Sequence, residues 1–271
     1  MDDFPPPIWA TFSIFPVMYR LRELCRVWHA KYTKTVLSSL PELRVVARVG
    51  VGFDSVDIPT ATLHNIVVTI TPNANHEAVA EHALGLMLAL ARRIPAAHEY
   101  VKDGQWQNPM EPYVSLRGVE LAGRTLGVVG MGAIGRRTAS LGAAIGMSVL
   151  AHDPHVSSAP DGVVLSGLEE LMKRADFVSV HVPLTPETEG LLNARMLALM
   201  RQSAYLVSCS DAAVIEQRAL VDALSEGCIA GAALDVFETH PVVPESPLLK
   251  LDNVLLSPHL GGATHETVER H

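Results

Sequence analysis

A chain of 271 residues that is 48% hydrophobic is long enough for one large domain or two small ones, and too apolar for disorder. Its net charge of −8 comes without a long basic run, which argues against a nucleic-acid partner but leaves room for a small anion at a local positive patch. Three distant cysteines, Cys25, Cys209 and Cys228, match no metal-knuckle or C-x-x-C spacing and suit a reducing cytoplasm.

The apolar stretch 8–19 is too short to span a bilayer, and Asp2 and Asp3 stand where a signal peptide needs positive charge; neither a membrane segment nor export is expected. Pro5, Pro6 and Pro7 exclude a central strand there. The spacing of Leu21, Leu24, Cys25, Trp28 and Tyr32 predicts a helix over 20–34. Residues 43–49 read as a strand, and Gly50-Val51-Gly52 as a turn whose N–H groups could face a ligand. A second β-branched strand, 66–70, is broken by Thr71-Pro72-Asn73-Ala74-Asn75. The helix expected over 76–93 is apolar on nearly every face and should be mostly buried, with Met87 and Leu88 in the core. The polar connection 103–118 is long for a structureless loop and suits an arm or dimer contact.

The most informative run is Thr125-Leu126-Gly127-Val128-Val129-Gly130-Met131-Gly132-Ala133-Ile134-Gly135, a buried strand, a glycine turn and a helix start. Gly130, Gly132 and Gly135 stand in G-x-G-x-x-G register. The first permits the turn, the second lets the backbone approach a pyrophosphate, and the third lets helix and strand pack closely. The helix N-terminus then offers N–H groups and a positive dipole end to phosphate. Asp153 closes the next strand, where an acid accepts from the ribose hydroxyls and repels a 2′-phosphate, so NAD is expected over NADP.

Further on, helices are expected at 168–173, 193–200 and 217–225, and strands at 177–181, 204–208, 231–236 and 254–257. This β-α-β alternation predicts an α/β protein with doubly wound parallel sheets. Ligands gather beyond the carboxyl ends of such strands. That rule selects Gly50 to Gly52, Asn73 to Asn75, the glycine turn, Asp153, His181-Val182-Pro183, Ser208-Cys209-Ser210-Asp211, Asp235, His240 and His259.

From about Leu43 to its end the chain resembles the D-isomer-specific 2-hydroxyacid dehydrogenases. The motifs are Ala47-Arg48-Val49-Gly50-Val51-Gly52-Phe53-Asp54, Glu77-Ala78-Val79-Ala80-Glu81-His82, Gly123-Arg124-Thr125-Leu126-Gly127 with the glycine turn, His181-Val182-Pro183-Leu184-Thr185, Ala230-Gly231-Ala232-Ala233-Leu234-Asp235-Val236-Phe237-Glu238 and Ser257-Pro258-His259-Leu260-Gly261-Gly262. The resemblance implies two Rossmann-like domains with the active site between them, and usually a homodimer. It implies hydride transfer between NAD and C2 of a 2-hydroxy or 2-oxo acid, with a histidine as acid–base, a glutamate orienting it and an arginine on the carboxylate. His259 takes the place of the histidine. Asp235 is placed at the nicotinamide amide and His181, Val182 and Pro183 under the adenine. Met131, Ala133, Ile134, Ser208, Cys209, Ser210 and Gly261 also fall to the cofactor, and Val49, Gly50, Val51 and Asn75 to the substrate. Cys209 reads as a small buried residue in preference to a reactive thiol.

Two catalytic positions depart from the family pattern. Asp211 stands where the arginine belongs, and His240 where the glutamate belongs. Two like charges about 4 Å apart cost about 4 kcal/mol at an effective dielectric near 20, so Asp211 opposes a substrate carboxylate. Three readings follow. The first is an NAD-dependent oxidoreductase with a rearranged site, catalysed by His259, Asp211 and His240. The second is an NAD-binding sensor or scaffold with little turnover. In the third, Asp211, His240 and His259 hold a metal ion, but nothing in the sequence brings them to ligand distance, and no metal is expected. The expected domains are a shortened substrate domain, 1–95, to which 263–271 returns and which lacks a strand and a helix, and an NAD-binding domain, 96–262.

Overall fold

The computed structural model describes residues 24–27, 31–48, 50, 52–53 and 55–270. The chain divides into two compact units, 1–74 with 269–271, and 75–268.

In the first unit, β1 (Leu24–Val27), β2 (Val45–Arg48) and β3 (Val67–Thr69) form a parallel sheet in that order. Two short helices, α1 (Lys34–Ser38) and α2 (Ile58–Leu63), connect them. Asp57 caps α2 by accepting from Thr60 N at 2.9 Å, and Pro59 presets its first turn. Leu37, Val46, Ala61 and Ile66 form the core. The helix expected over 20–34 does not form as read, because β1 lies within it. Leu24 to Val27 pair in register with Val45 to Arg48, and that long-range ladder overrides the local helical spacing.

The second unit begins with α3 (His76–Ala91), α4 (Ile94–Lys102) and α5 (Met110–Ser115). The alternation β4 (Thr125–Val129), α6 (Ala133–Ala144), β5 (Ser148–His152), β6 (Val163–Leu165), α7 (Leu168–Arg174), β7 (Phe177–Val180) follows. It continues through α8 (Ala194–Leu197), β8 (Tyr205–Ser208), α9 (Gln217–Ser225), β9 (Gly231–Leu234) and β10 (Val254–Leu256), and α10 (His265–Arg270) comes last. The seven strands are all parallel, in the order β6-β5-β4-β7-β8-β9-β10. Both faces are covered. Val178, Leu206 and Ala232 pack with Leu171 and Leu220 on one side. Leu126, Phe177, Val207 and Ala233 pack with Ala83, Met87 and Ala139 on the other. The strand direction of travel reverses between β4 and β7, the position at which open α/β sheets leave a crevice for a ligand.

Here α3 belongs to the second compact unit, because Ala83, Leu86 and Met87 are buried in its core, and the compact units part at 74/75. Met87 is fully buried as expected, but Leu88, one step around the helix, is 37% exposed. The connection 103–118 contains α5, whose residues are all at least partly exposed.

Candidate active site

The glycine turn is built by backbone contacts. Gly130 leaves β4 with φ 94°, and a Cβ there would lie 2.8 Å from the carbonyl oxygen of His181. A Cβ on Gly135 would lie 1.9 Å from the carbonyl oxygen of Gly130, so only glycine lets α6 start this close to the strand. Gly132 differs: a Cβ there meets nothing within 4 Å. It is the N-cap of α6, no side chain caps the helix, and Gly132 and Ala133 are exposed. Two glycines thus serve packing, and the third keeps the face over the helix N-terminus open. A pyrophosphate fits that face.

Asp153 follows β5 beside this turn. One carboxylate oxygen accepts from Met131 N at 2.8 Å and the other from His155 N at 2.9 Å. Partial burial pushes the carboxyl up, but these two N–H groups and the nearby imidazoles of His155 and His152 outweigh it and hold it below its ordinary range. An ionised carboxylate accepts about four hydrogen bonds, so lone pairs remain for two ribose hydroxyls. At the end of β7, His181 bonds Ser179 Oγ through Nε2 at 2.8 Å, and burial pushes its pKa down to about 4. The imidazole is neutral at pH 7. Val182 and Pro183 continue from it next to Gly130.

A second construction stands at the ends of β8, β9 and β10. Ser210 Oγ donates to Val180 O at 3.0 Å, which ties the segment after β8 to β7. Asp235, 1% exposed, accepts from Leu260 N and Gly261 N at 2.8 Å each, and from the side chains of His82 and Ser257. Burial alone would raise its pKa, but these four donors bring it down to about 2. The backbone of His259 also donates to Asp235 O at 2.8 Å. His259 takes φ 58°, a left-handed conformation uncommon for a residue with a Cβ, inside a turn fixed at both ends by Asp235. Its exposed ring meets that of His240, centroids 5.2 Å apart at 43°, and His240 in turn meets Phe237 at 6.3 Å.

Residues 84–261 match the profile described as D-isomer specific 2-hydroxyacid dehydrogenase, NAD binding domain. A glyoxylate reductase of Thermofilum pendens is 43% identical over 244 residues, 89% of this chain and 72% of that protein. The chain belongs to the D-isomer-specific 2-hydroxyacid dehydrogenase family. A D-3-phosphoglycerate dehydrogenase of a Synechocystis strain is 43% identical over 239 residues, 87% of this chain and 42% of that longer protein. The crystal structure of D-lactate dehydrogenase from Aquifex aeolicus, complexed with NAD and lactic acid, superposes with a TM-score of 0.82 at 33% identity, covering 93% of this chain and 80% of that one. The protein is therefore an NAD-dependent oxidoreductase of the 2-hydroxyacid dehydrogenase type.

Within that family frame, His240 and His259 are brought together and Asp235 joins the turn of Gly261. Asp211 caps a single 3-10 turn, its carboxylate accepting from Ala213 N at 2.9 Å. Cys209 has its thiol pushed up to about 12, first by burial and then by the charge of Asp235, so it is inert at neutral pH. Asn75 occupies the N-cap position of α3 without a side-chain capping bond and lies 3.5 Å from where a Cβ on Gly262 would stand. Gly50, with φ 107°, belongs to the other compact unit, where its N–H donates to Thr71 Oγ1 at 2.8 Å. Val49 and Val51 lie outside the described residues. Among the described residues no group of three His, Cys, Asp or Glu side chains is placed to hold a metal ion, and no helix is long and apolar enough to cross a membrane.

Sequence reasoning missed His82. It stands within a family motif, but its role depends on residues 153 and 175 positions away. A histidine on a mostly apolar helix was the available signal.

Proposed function

We propose that this protein interconverts a 2-oxo acid, or a related carbonyl compound, and the corresponding 2-hydroxy compound, using NADH and NAD. The observation that supports this most is the His240–His259 ring contact, on a turn anchored by a buried carboxylate, in a chain whose glycine turn is intact. NAD held at the glycine turn would supply the hydride exchanged at C2 of the substrate. His259 gives a proton to the C2 oxygen on reduction, turning C=O into CH–OH, and takes it back on oxidation. The open N-terminus of α6 would hold the pyrophosphate and Asp153 the adenine ribose, a position from which the carboxylate would repel the 2′-phosphate of NADP. His181, Val182 and Pro183 would flank the adenine, and Ser208, Cys209 and Ser210 would border the nicotinamide. Asn75, at the start of α3, contributes to substrate binding.

Asp211 and His240 determine which acids are accepted. His240 supplies an aromatic neighbour to His259 but no negative charge to stabilise its imidazolium. Asp211 removes the cation that would clamp a carboxylate, so substrates that are neutral or cationic near C1 are favoured over simple 2-oxo acids. A second reading, an NAD-binding sensor or scaffold with little turnover, is favoured by that same absence of an arginine at 211 and by the engagement of Asp211 with its own backbone. We further propose a cytoplasmic homodimer. Ile94, Val101, Trp106, Met110, Tyr113 and Val114 are each more than half exposed, and a second copy would cover them.

NADH oxidation against a panel of 2-oxo acids, with NADH binding measured on the same sample, separates the two functional readings. Turnover that His259→Asn lowers by about 100-fold or more at unchanged NADH affinity supports the enzyme. Binding without turnover supports the sensor. Asp211→Arg combined with His240→Glu should raise turnover of small 2-oxo acids by about tenfold or more, since it removes a repulsion of about 4 kcal/mol and restores the family pairing. A double variant that folds, binds NADH and gains nothing refutes this placement of the site.

A further inference from the structure

We propose that His82 is a positioning residue for His259, holding the carboxylate of Asp235 that carries the 257–261 turn. This rests on the proposed role of His259 as acid–base, but the contacts themselves do not. The Nε2 of His82 lies 3.2 Å from Oδ1 of Asp235 and 3.1 Å from Oγ of Ser257. Asp235 Oδ1 also accepts from Leu260 N, and Oδ2 from Gly261 N, both at 2.8 Å. His259 therefore sits between Ser257, which His82 touches, and two amides held by the carboxylate that His82 bonds.

The geometry around the carboxylate is tight. A Cβ on Gly261 would be 3.0 Å from Oδ2 of Asp235 and 3.6 Å from the side chain of Val79, one helical turn before His82 on α3. The turn at Gly261 thus leaves little room for a side chain beside the carboxylate and α3. Asp235 is 2% exposed at its side chain and His82 24%. Without the imidazole donor, the buried carboxylate loses a charge-assisted bond and no water can fully replace it. The turn that holds His259 at φ 58° then relaxes, because a residue with a Cβ keeps that backbone conformation only while its surroundings enforce it. A proton donor misplaced by about 1 Å can lose about 100-fold in rate.

The test compares His82→Gln, whose amide nitrogen can take the place of Nε2, with His82→Leu, which removes the donor. His82→Asn, polar but too short to reach, replaces the leucine variant if that one does not fold. The first readout is amide hydrogen exchange of the 257–261 segment, measured by mass spectrometry with the β4 strand as internal control. The proposal expects exchange there to quicken by about tenfold or more in His82→Leu, with β4 unchanged, and to return close to wild type in His82→Gln. The second readout is turnover with 4-deuterated NADH. His82→Leu should lower kcat by about tenfold or more and raise the deuterium isotope effect, at NADH affinity within about threefold of wild type. A merely structural contact would reduce the active fraction and leave the isotope effect unchanged. Unchanged exchange in His82→Leu, or a His82→Gln variant as impaired as His82→Leu, overturns the proposal. If the wild type shows no turnover, the acid–base role of His259 fails, and the exchange result still decides whether His82 holds the turn.

Discussion

Two turns in the larger unit are held by a carboxylate from a strand end, and they differ in what they leave for a ligand. After β5, Asp153 bonds the glycine turn through Met131 N and keeps acceptor capacity to spare. After β9, Asp235 bonds Leu260 N, Gly261 N, His82 and Ser257, and its capacity is filled by protein donors. The first turn is a site made by backbone, where glycine geometry and one acid suffice. The second is a scaffold that aims side chains, presenting His259 on a turn whose backbone is bonded to Asp235. A change at the first turn acts on the backbone that builds the fold, whereas a change at a side chain the second turn presents leaves the frame in place.

The strongest way to break this comparison is at Gly135. Gly135→Ala places a methyl 1.9 Å from the Gly130 carbonyl oxygen, and the turn must open. It should cost about 3 kcal/mol or more in denaturant unfolding and abolish NADH binding. Gly132→Ala adds the same methyl in open space and should fold with stability within about 0.5 kcal/mol of wild type, losing only NADH affinity. Equal destabilisation by the two would dissolve the distinction between packing glycine and ligand glycine.

The two regions also titrate in separate windows. His181, buried and neutral, has its pKa lowered from 6.5 to about 4, so the unfolded chain binds more protons between those values. Stability should fall by about 3 kcal/mol as pH drops from about 6.5 to 4, and His181→Asn should flatten that limb. Asp235 is depressed from 3.8 to about 2, so its contribution is present above pH 4 and lost as pH falls through 2. That loss is about 2 kcal/mol and should be missing in Asp235→Asn. Urea midpoints measured from pH 7 to pH 2 read both limbs.

A smaller effect tests the cofactor end alone. Asp153→Asn removes the charge that opposes a 2′-phosphate, and the ratio of NADPH to NADH affinity should rise about tenfold, or about 1.4 kcal/mol. Isothermal titration with both cofactors measures it. An unchanged ratio would mean that the carboxylate, engaged with Met131 and His155, does not face the ribose.

What the sequence made legible follows the same division. The glycine register, the acid after β5 and the β-α alternation are local patterns, and each maps onto the observed element with a shift of at most three residues at its ends. The strands that escaped are those whose existence depends on partners far away. β6 is a three-residue edge strand with Val164 more than half exposed, and it is recognised only through its ladder to β5. β1 carries helical spacing and is extended because β2 lies beside it. At the site, His259 was legible from its motif and His82 was not, since nothing near His82 in the chain announces a carboxylate at position 235.

The finest probe of the second region is a thiol. Cys209, after β8, has its pKa raised to about 12, mainly by burial and secondarily by the charge of Asp235. At pH 8 about one molecule in ten thousand then carries the thiolate, so iodoacetamide should leave Cys209 unmodified while it labels exposed Cys228. Peptide mapping by mass spectrometry separates the two sites. Asp235→Asn removes only the lesser cause, so labelling of Cys209 should quicken by less than about tenfold. Rapid labelling in the wild type would mean that the end of β8 is open to solvent. Acceleration well beyond tenfold in Asp235→Asn would mean that the carboxylate, and not burial, keeps the thiol protonated, and that the turn opens when its anchor is neutralised.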